Sequence, residues 1–227
     1  MGEKSWKGHL FMLIACTIWG LMSPIGKDAM MNGISGFSMV IFRSTGGALF
    51  FWITSLFTKK EHVPSKDLLL FFFAALLSVI FNQCCFTIGL SLTSPIDASI
   101  VTTTSPIITM IVAAIYLKEP ITGKKVMGIF LGALGALILI IGSTVVGKKD
   151  SDLTGDLLCL LAQFSFAFYL TLFKNLICKY NVVTCMKWMF MYAAICMIPF
   201  SYNEWGSLNW SAIPARVWLD TFFVVFG

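Results

Sequence analysis

The chain has 227 residues, of which 58% are apolar and 12% charged, with a formal net charge of +5 and a mean hydropathy of +0.86. A soluble domain is roughly 45–50% apolar and about 25% charged, so this composition excludes a soluble globular protein and implies an integral membrane one. Seven cysteines lie in or beside apolar runs without a CxxC or Cys/His cluster, and the two histidines, His9 and His62, fall at a helix start and in a charged loop. Buried thiols are therefore expected rather than a disulfide or metal framework, and membrane di-iron or haem chemistry is not.

Apolar segments bounded by charges or turn residues predict the elements in chain order. The N-terminal run MGEKSWKGHLFMLIACTIWGLMSPIGK starts like a signal peptide. It reaches about 20 apolar residues with no small-residue cleavage pattern, so it reads as a retained first span over 9–30. Spans 2 to 5 follow at 37–57, 68–90, 95–117 and 121–141, and spans 6 and 7 at 155–176 and 182–202. An eighth begins near Ala212 and is still running at Gly227. Each complete run is about 20–23 residues, roughly 30–35 Å as helix, which matches the hydrocarbon core. The expected fold is an all-α membrane bundle of seven complete spans and a partial eighth.

Lysine and arginine placement orients the bundle. The N-terminus and the loops after even-numbered spans hold eleven of these residues, from Lys4 to Lys187, against five on the opposite side, Lys27, Arg43, Lys148, Lys149 and Arg216. The N-terminus is therefore expected in the cytoplasm, with the chain multi-pass in the inner cell membrane.

Polar residues inside the spans are the candidate functional set. Arg43 lies about six residues, roughly 9 Å, inside span 2. Its charge either meets a partner or solute there or snorkels to the surface. Asn82 and Gln83 in span 3, and Gln163, Ser165 and Tyr169 in span 6, can hydrogen-bond a solute or a neighbouring helix. In span 4, Ser94-Pro95-Ile96-Asp97 reads as an N-cap, a proline at the first helical position and an acidic third residue. Deeper, Ser99, Thr102 or Thr103, Pro106, Thr109 or Met110, and Ala113 recur at helical spacing on one face, with Ile107, Ile108, Ile111, Val112 and Ile115 toward others. Pro106 frees the Thr102 carbonyl and predicts a kink. That stripe either lines a hydrated cavity or bonds along the helix and to its neighbours. Ser23-Pro24 repeats the device in span 1, leaving the Gly20 carbonyl unpaired beside Trp19. Phe71 to Phe73 and Trp205, Trp210 and Trp218 fit lipid-facing and interfacial positions. Gly128, Gly132 and Gly135 in span 5 suit close helix packing.

Shifting the chain by 147 residues lays Gly8 over Gly155, Leu10 over Leu157, Ala15 over Ala162, Trp19 over Phe166 and Lys27 over Lys174. Five spans precede this restart, and an odd number inverts the second unit in the membrane, a transporter signature. Two repeats are thus expected, spans 1–5 over 9–142 and an incomplete second unit over 155–227.

The stretch TSPIDASIVTTTSPIITMIVAAIYLKEPITGKKVMGIFLGALGALILIIG resembles the end of an EamA repeat of the drug/metabolite transporter superfamily, and IWGLMSPIGK and the IFRS opening of span 2 resemble earlier parts of that repeat. The resemblance covers spans 1 to 5 well and spans 6 to 8 loosely. It implies ten spans in two repeats of five, of which spans 9 and 10 are absent here. It also implies that Trp19, Ser23 and Pro24 border a central cavity. The expected activity is secondary transport, as an exporter, of a small polar or amphipathic metabolite such as an amino acid, by alternating access. A non-transporting membrane subunit or truncated remnant is the alternative. The sequence carries no GxxxxGK[ST] nucleotide motif, and no nucleophile–base pair or metal set lies in the spans. The chain is accordingly expected to be no enzyme and to need no cofactor or metal. Its expected partners are the lipid bilayer and a small solute, with no nucleic acid, and a homodimer stays open.

Overall fold

The computed structural model describes residues 2–118, 123–124, 126–128, 130–131, 134–135, 152–208, 210 and 213–226. Helix α1 (Gly2–Met31) carries the first apolar run and passes through Pro24 without ending. It stops where the Asn32 side-chain amide donates back to the Asp28 carbonyl at 2.8 Å and Gly33 takes φ +118°, a value that side chains disfavour. Ser35 then caps α2 (Gly36–Ser55), accepting from the Ser38 N–H at 3.0 Å.

The third span is helical throughout Ser65–Leu92 but not uniformly α. Between α3 (Ser65–Ala75) and α4 (Asn82–Leu92), residues Leu76–Phe81 bond from i to i+5 and widen the turn. The Leu77 carbonyl in that wide turn accepts from the Asn82 N–H and from the Ser165 hydroxyl at 2.6 Å.

The fourth span breaks where a kink was expected, into α5 (Pro95–Thr102) and α6 (Ser105–Tyr116). The N–H groups of Thr103 and Thr104 reach three residues back, to Ile100 and Val101, at 3.0 Å each, which tightens the last turn of α5. Pro106 brings no N–H to Thr102, so the α ladder cannot resume until Thr104 starts it again. The cap expected at the start of α5 is present: Ser94 accepts from the Asp97 N–H at 3.1 Å and donates to its carboxylate at 2.7 Å.

The fifth expected span lies mostly outside the described residues, and Gly132 with it. Gly128 and Gly135 are described, and a Cβ at either would meet nothing within 4 Å. The close helix approach expected at these two is therefore not found among the described residues.

Asp152 caps α7 (Leu153–Leu172), which ends earlier than hydropathy suggests because Phe173 leaves helical geometry. Then follow α8 (Lys174–Lys179), α9 (Val182–Ser207), capped by Asn181, and α10 (Ala215–Phe226). Among the described residues, six stretches are long and apolar enough to cross a membrane, corresponding to expected spans 1 to 4, 6 and 7. The protein is an all-α membrane protein, with no strand among the described residues.

The largest core cluster joins Phe71, Ala74 and Val79 of the third span to Tyr169 of α7, Leu176 of α8, and Cys185, Met189 and Ala193 of α9. Phe71 corrects the lipid-facing reading of the Phe71–Phe73 run: it is fully buried, 5.6 Å from the Tyr180 ring, whereas Phe73 stays exposed. Consecutive helical residues point about 100° apart, so three cannot share one face. A second cluster packs Ala29 of α1 and Met39 of α2 against Val217 and Val224 of α10. All seven cysteines are free thiols; Cys85, Cys159 and Cys185 are buried, but Cys16 and Cys178 are exposed, contrary to the uniform burial expected.

Candidate functional site

One cavity of about 1420 Å³ lies among α1, α2, the third span, the broken fourth span and α7. Span 4 lines it with Ser99, Thr102, Thr103 and Pro106, and with Thr109, Met110 and Ala113 of the same stripe. Ile107, expected on another face, also reaches it. Ile108 and Val112 pack instead against Ala167 of α7, and Ile111 and Ile115 are exposed. The break brings two turns of threonine and serine to the same wall.

From the other elements come Trp19 and Ser23 of α1, Arg43 of α2, Asn82 and Gln83 at the start of α4, and Gln163 of α7. Ten of the twelve candidate residues thus share one cavity. Pro24 and Tyr169 do not line it. Pro24 is exposed, and Tyr169 is buried in the main core with its hydroxyl 3.8 Å from the Met189 sulfur.

The polar side chains of the wall are spent unequally. Ser99 donates to the Pro95 carbonyl at 2.6 Å, Thr102 to Ala98 at 2.8 Å and Thr103 to Ile100 at 2.6 Å. Their protons thus satisfy their own helix, while their oxygens remain as acceptors toward the cavity. Asn82 donates to the Ala162 carbonyl at 2.8 Å and ties the third span to α7. Ser165, read as a polar group of the interior, holds the wide turn and is absent from the lining. Arg43 and Gln83 make no hydrogen bond or ion pair with any described residue. Arg43 is also the one charged side chain in the described lining. It stands seven residues into α2, about 10 Å along the helix, where a charge costs about 2.5–3.5 kcal/mol on insertion scales.

Ser78, Phe86, Cys16, Phe166 and Leu170 also line the cavity and were not singled out as candidates. The wide turn that carries Ser78 and re-aims Phe86 has no sequence mark. The 147-residue offset does mark the others: Cys16 corresponds to Gln163, Trp19 to Phe166 and Ser23 to Leu170, and all six line the cavity.

Beyond Ser23 the bundle closes. Lys27 donates to the carbonyls of Leu90, Ser91 and Thr93 at 2.8, 2.7 and 3.0 Å, where α4 ends. Thr93 in turn donates to the Asp156 carboxylate on α7 at 2.6 Å. Beneath them Gly89 and Gly155 meet so closely that a Cβ on either would lie 2.7 or 2.8 Å from the other's carbonyl oxygen. At the opposite end Lys179 pairs with Asp67 at 2.6 Å, Tyr180 donates to the same carboxylate, and Glu61 accepts from the Asn181 N–H at 3.1 Å. The hydrogen bond to Asp67 holds the Lys179 ammonium above the usual lysine range. A raised lysine contributes its stability fully below that range and loses it only as pH rises beyond, so this tie is complete at neutral pH.

Residues 6–141 match the model of the EamA-like transporter family. The chain belongs to that family. Its relatives include the uncharacterized transporter YyaM of Bacillus subtilis (strain 168), 24% identical over all of this chain and 71% of the relative. An uncharacterized transporter of Archaeoglobus fulgidus is 26% identical over 99% of this chain and 78% of its own length. The Arabidopsis thaliana protein WALLS ARE THIN 1 is 28% identical over 61% of this chain and 36% of its own length. This EamA chain is thus similar to proteins named as transporters along its whole length, not only over the family match.

Proposed function

We propose that the chain is a secondary transporter that exports a small polar or amphipathic metabolite, amino acids among the candidates, by alternating access between inverted repeats at 9–142 and 155–227. The observation that carries this reading is the single cavity where ten intramembrane polar, aromatic and proline candidates from α1, α2, α4, the broken fourth span and α7 meet. A discontinuous helix at such a cavity is a recurrent way to build a transport site, because its freed backbone groups face water rather than lipid. The matched positions of α1 and α7 at the 147-residue offset support the repeat reading, and the closed Lys27 end supports access from one side at a time. The excess of lysine and arginine on the N-terminal side supports a cytoplasmic N-terminus in the inner cell membrane.

The test is solute flux in proteoliposomes holding the purified chain, across a panel of amino acids, nucleosides and sugars. Flux above empty vesicles for at least one class is expected. None for any class, from protein shown to be folded, would sink the reading and favour a non-transporting subunit.

A further inference from the structure

We infer that the cavity receives a small organic acid as its monoanion, with the carboxylate held by the Arg43 guanidinium. This deepens the proposed function by naming the solute class, and it rests on that reading.

Arg43 differs from most polar groups of the bundle. Ser44, Ser78, Asn82 and Ser165 each donate to a backbone carbonyl, and Lys27 satisfies three. Arg43 reaches the cavity without any such acceptor among the described residues, and none of the described lining residues is acidic. A snorkelling arginine would run to the surface; this one lines the cavity. Its donors form a rigid planar fork that matches a carboxylate with two parallel hydrogen bonds. Gln83, also in the lining and also without a hydrogen-bond partner among the described residues, adds one amide for a second polar group on the solute.

Arg43 carries the one full charge in the described lining of the cavity. The N-terminus of α6, a helix of 12 residues, opens onto it at Ser105 and Pro106, and no side chain caps it. Its partial positive charge is offset by the partial negative C-terminus of α5, which meets the cavity at Thr102 and Thr103. One full positive charge neutralises one carboxylate. A phosphate monoester carries about −1.5 to −2 near neutral pH, which would leave excess negative charge in a poorly solvated site. The remaining wall, with Trp19, Phe86, Met110, Phe166 and Leu170, suits an apolar body behind the acid group.

The test uses the purified chain in lipid nanodiscs and three probes: N-acetyl-L-leucine, its neutral amide N-acetyl-L-leucinamide with the same body, and isoamyl phosphate, which keeps only the branched alkyl chain. Calorimetric Kd values are expected to favour the carboxylate over the amide by about 10- to 100-fold, the range that a charge-assisted hydrogen bond supplies. In Arg43→Gln that ratio should fall to about one, with Arg43→Lys between. Three results would overturn the inference: the amide binding the wild-type chain as tightly as the acid, no binding of the acid at all, or a preference that survives Arg43→Gln. Tighter binding of the phosphate would overturn the carboxylate assignment. Should Arg43→Gln fail to fold, the wild-type acid-to-amide ratio decides alone. The acid preference without flux would refute transport and leave the anion site standing; flux without the preference would refute only the site.

Discussion

Thr103 and Gln83 face the same cavity but have different amounts to offer a solute. The Thr103 proton is committed to the Ile100 carbonyl, whereas both ends of the Gln83 amide are unengaged among the described residues. Thr103→Val is therefore expected to change solute affinity by less than about threefold. Gln83→Ala should weaken it by about tenfold, the equivalent of 1.4 kcal/mol. Measuring Kd for N-acetyl-L-leucine in both variants checks the pair, and a larger loss at Thr103 would mean that its hydroxyl turns to the solute. The stripe in span 4 was legible in the sequence because a helical period fixes which residues share a face. Where each hydroxyl sends its proton was not, because own-helix carbonyls and cavity water compete for it within one rotamer change. Arg43 was legible as an anomaly from its depth alone, while Tyr169 looked equivalent to Gln163 until α9 was seen packed over it.

At the scale of elements, the contact between α4 and α7 depends on two glycines. A Cβ on Gly155 would lie 2.8 Å from the Gly89 oxygen and 2.9 Å from the Thr93 nitrogen, both backbone atoms that cannot swing aside. Gly155→Ala is expected to lower stability by about 1–3 kcal/mol, as overpacking does, and to lower Tm in detergent accordingly. Gly8→Ala, where nothing stands within 4 Å, should be neutral or stabilising by up to about 1 kcal/mol. An unchanged Tm for Gly155→Ala would show that the helices separate freely. The spans themselves were readable because twenty-residue apolar runs have few alternatives in a membrane. The wide turn at Leu76–Phe81 and the break at Thr103–Thr104 were not. The first depends on a long-range hydrogen bond from Ser165, and the second on how the chain resolves a proline that allows either a kink or a restart. Glycine spacing pointed to span 5, but the tight approach lies where single glycines of distant spans coincide.

For the whole molecule, the cavity is not centred between the two ends. On α1 the lining runs from Ala15 to Ser23 and stops four residues before Lys27, while on α6 and α7 it continues to Ala114 and Leu170, near their C-termini. On the alternating-access reading, the Lys27–Thr93–Asp156 ties and the glycine contact seal one side, and the unit must part there to complete a cycle. Residues that the 147-residue offset pairs, Trp19 with Phe166 and Ser23 with Leu170 among them, line the same cavity.

Cys16 gives the same geometry a chemical handle, since it is an exposed free thiol in the cavity wall. In sealed vesicles, a charged, membrane-impermeant thiosulfonate should modify Cys16 only from the compartment that also reaches Cys178 on α8. N-acetyl-L-leucine should slow that reaction. Lys27→Met should make Cys16 reactive from the other compartment too, in proportion to the time the seal spends apart. A native cysteine would thereby act as a clock for the gate, and equal reactivity from both sides in the wild-type chain would mean that no gate exists.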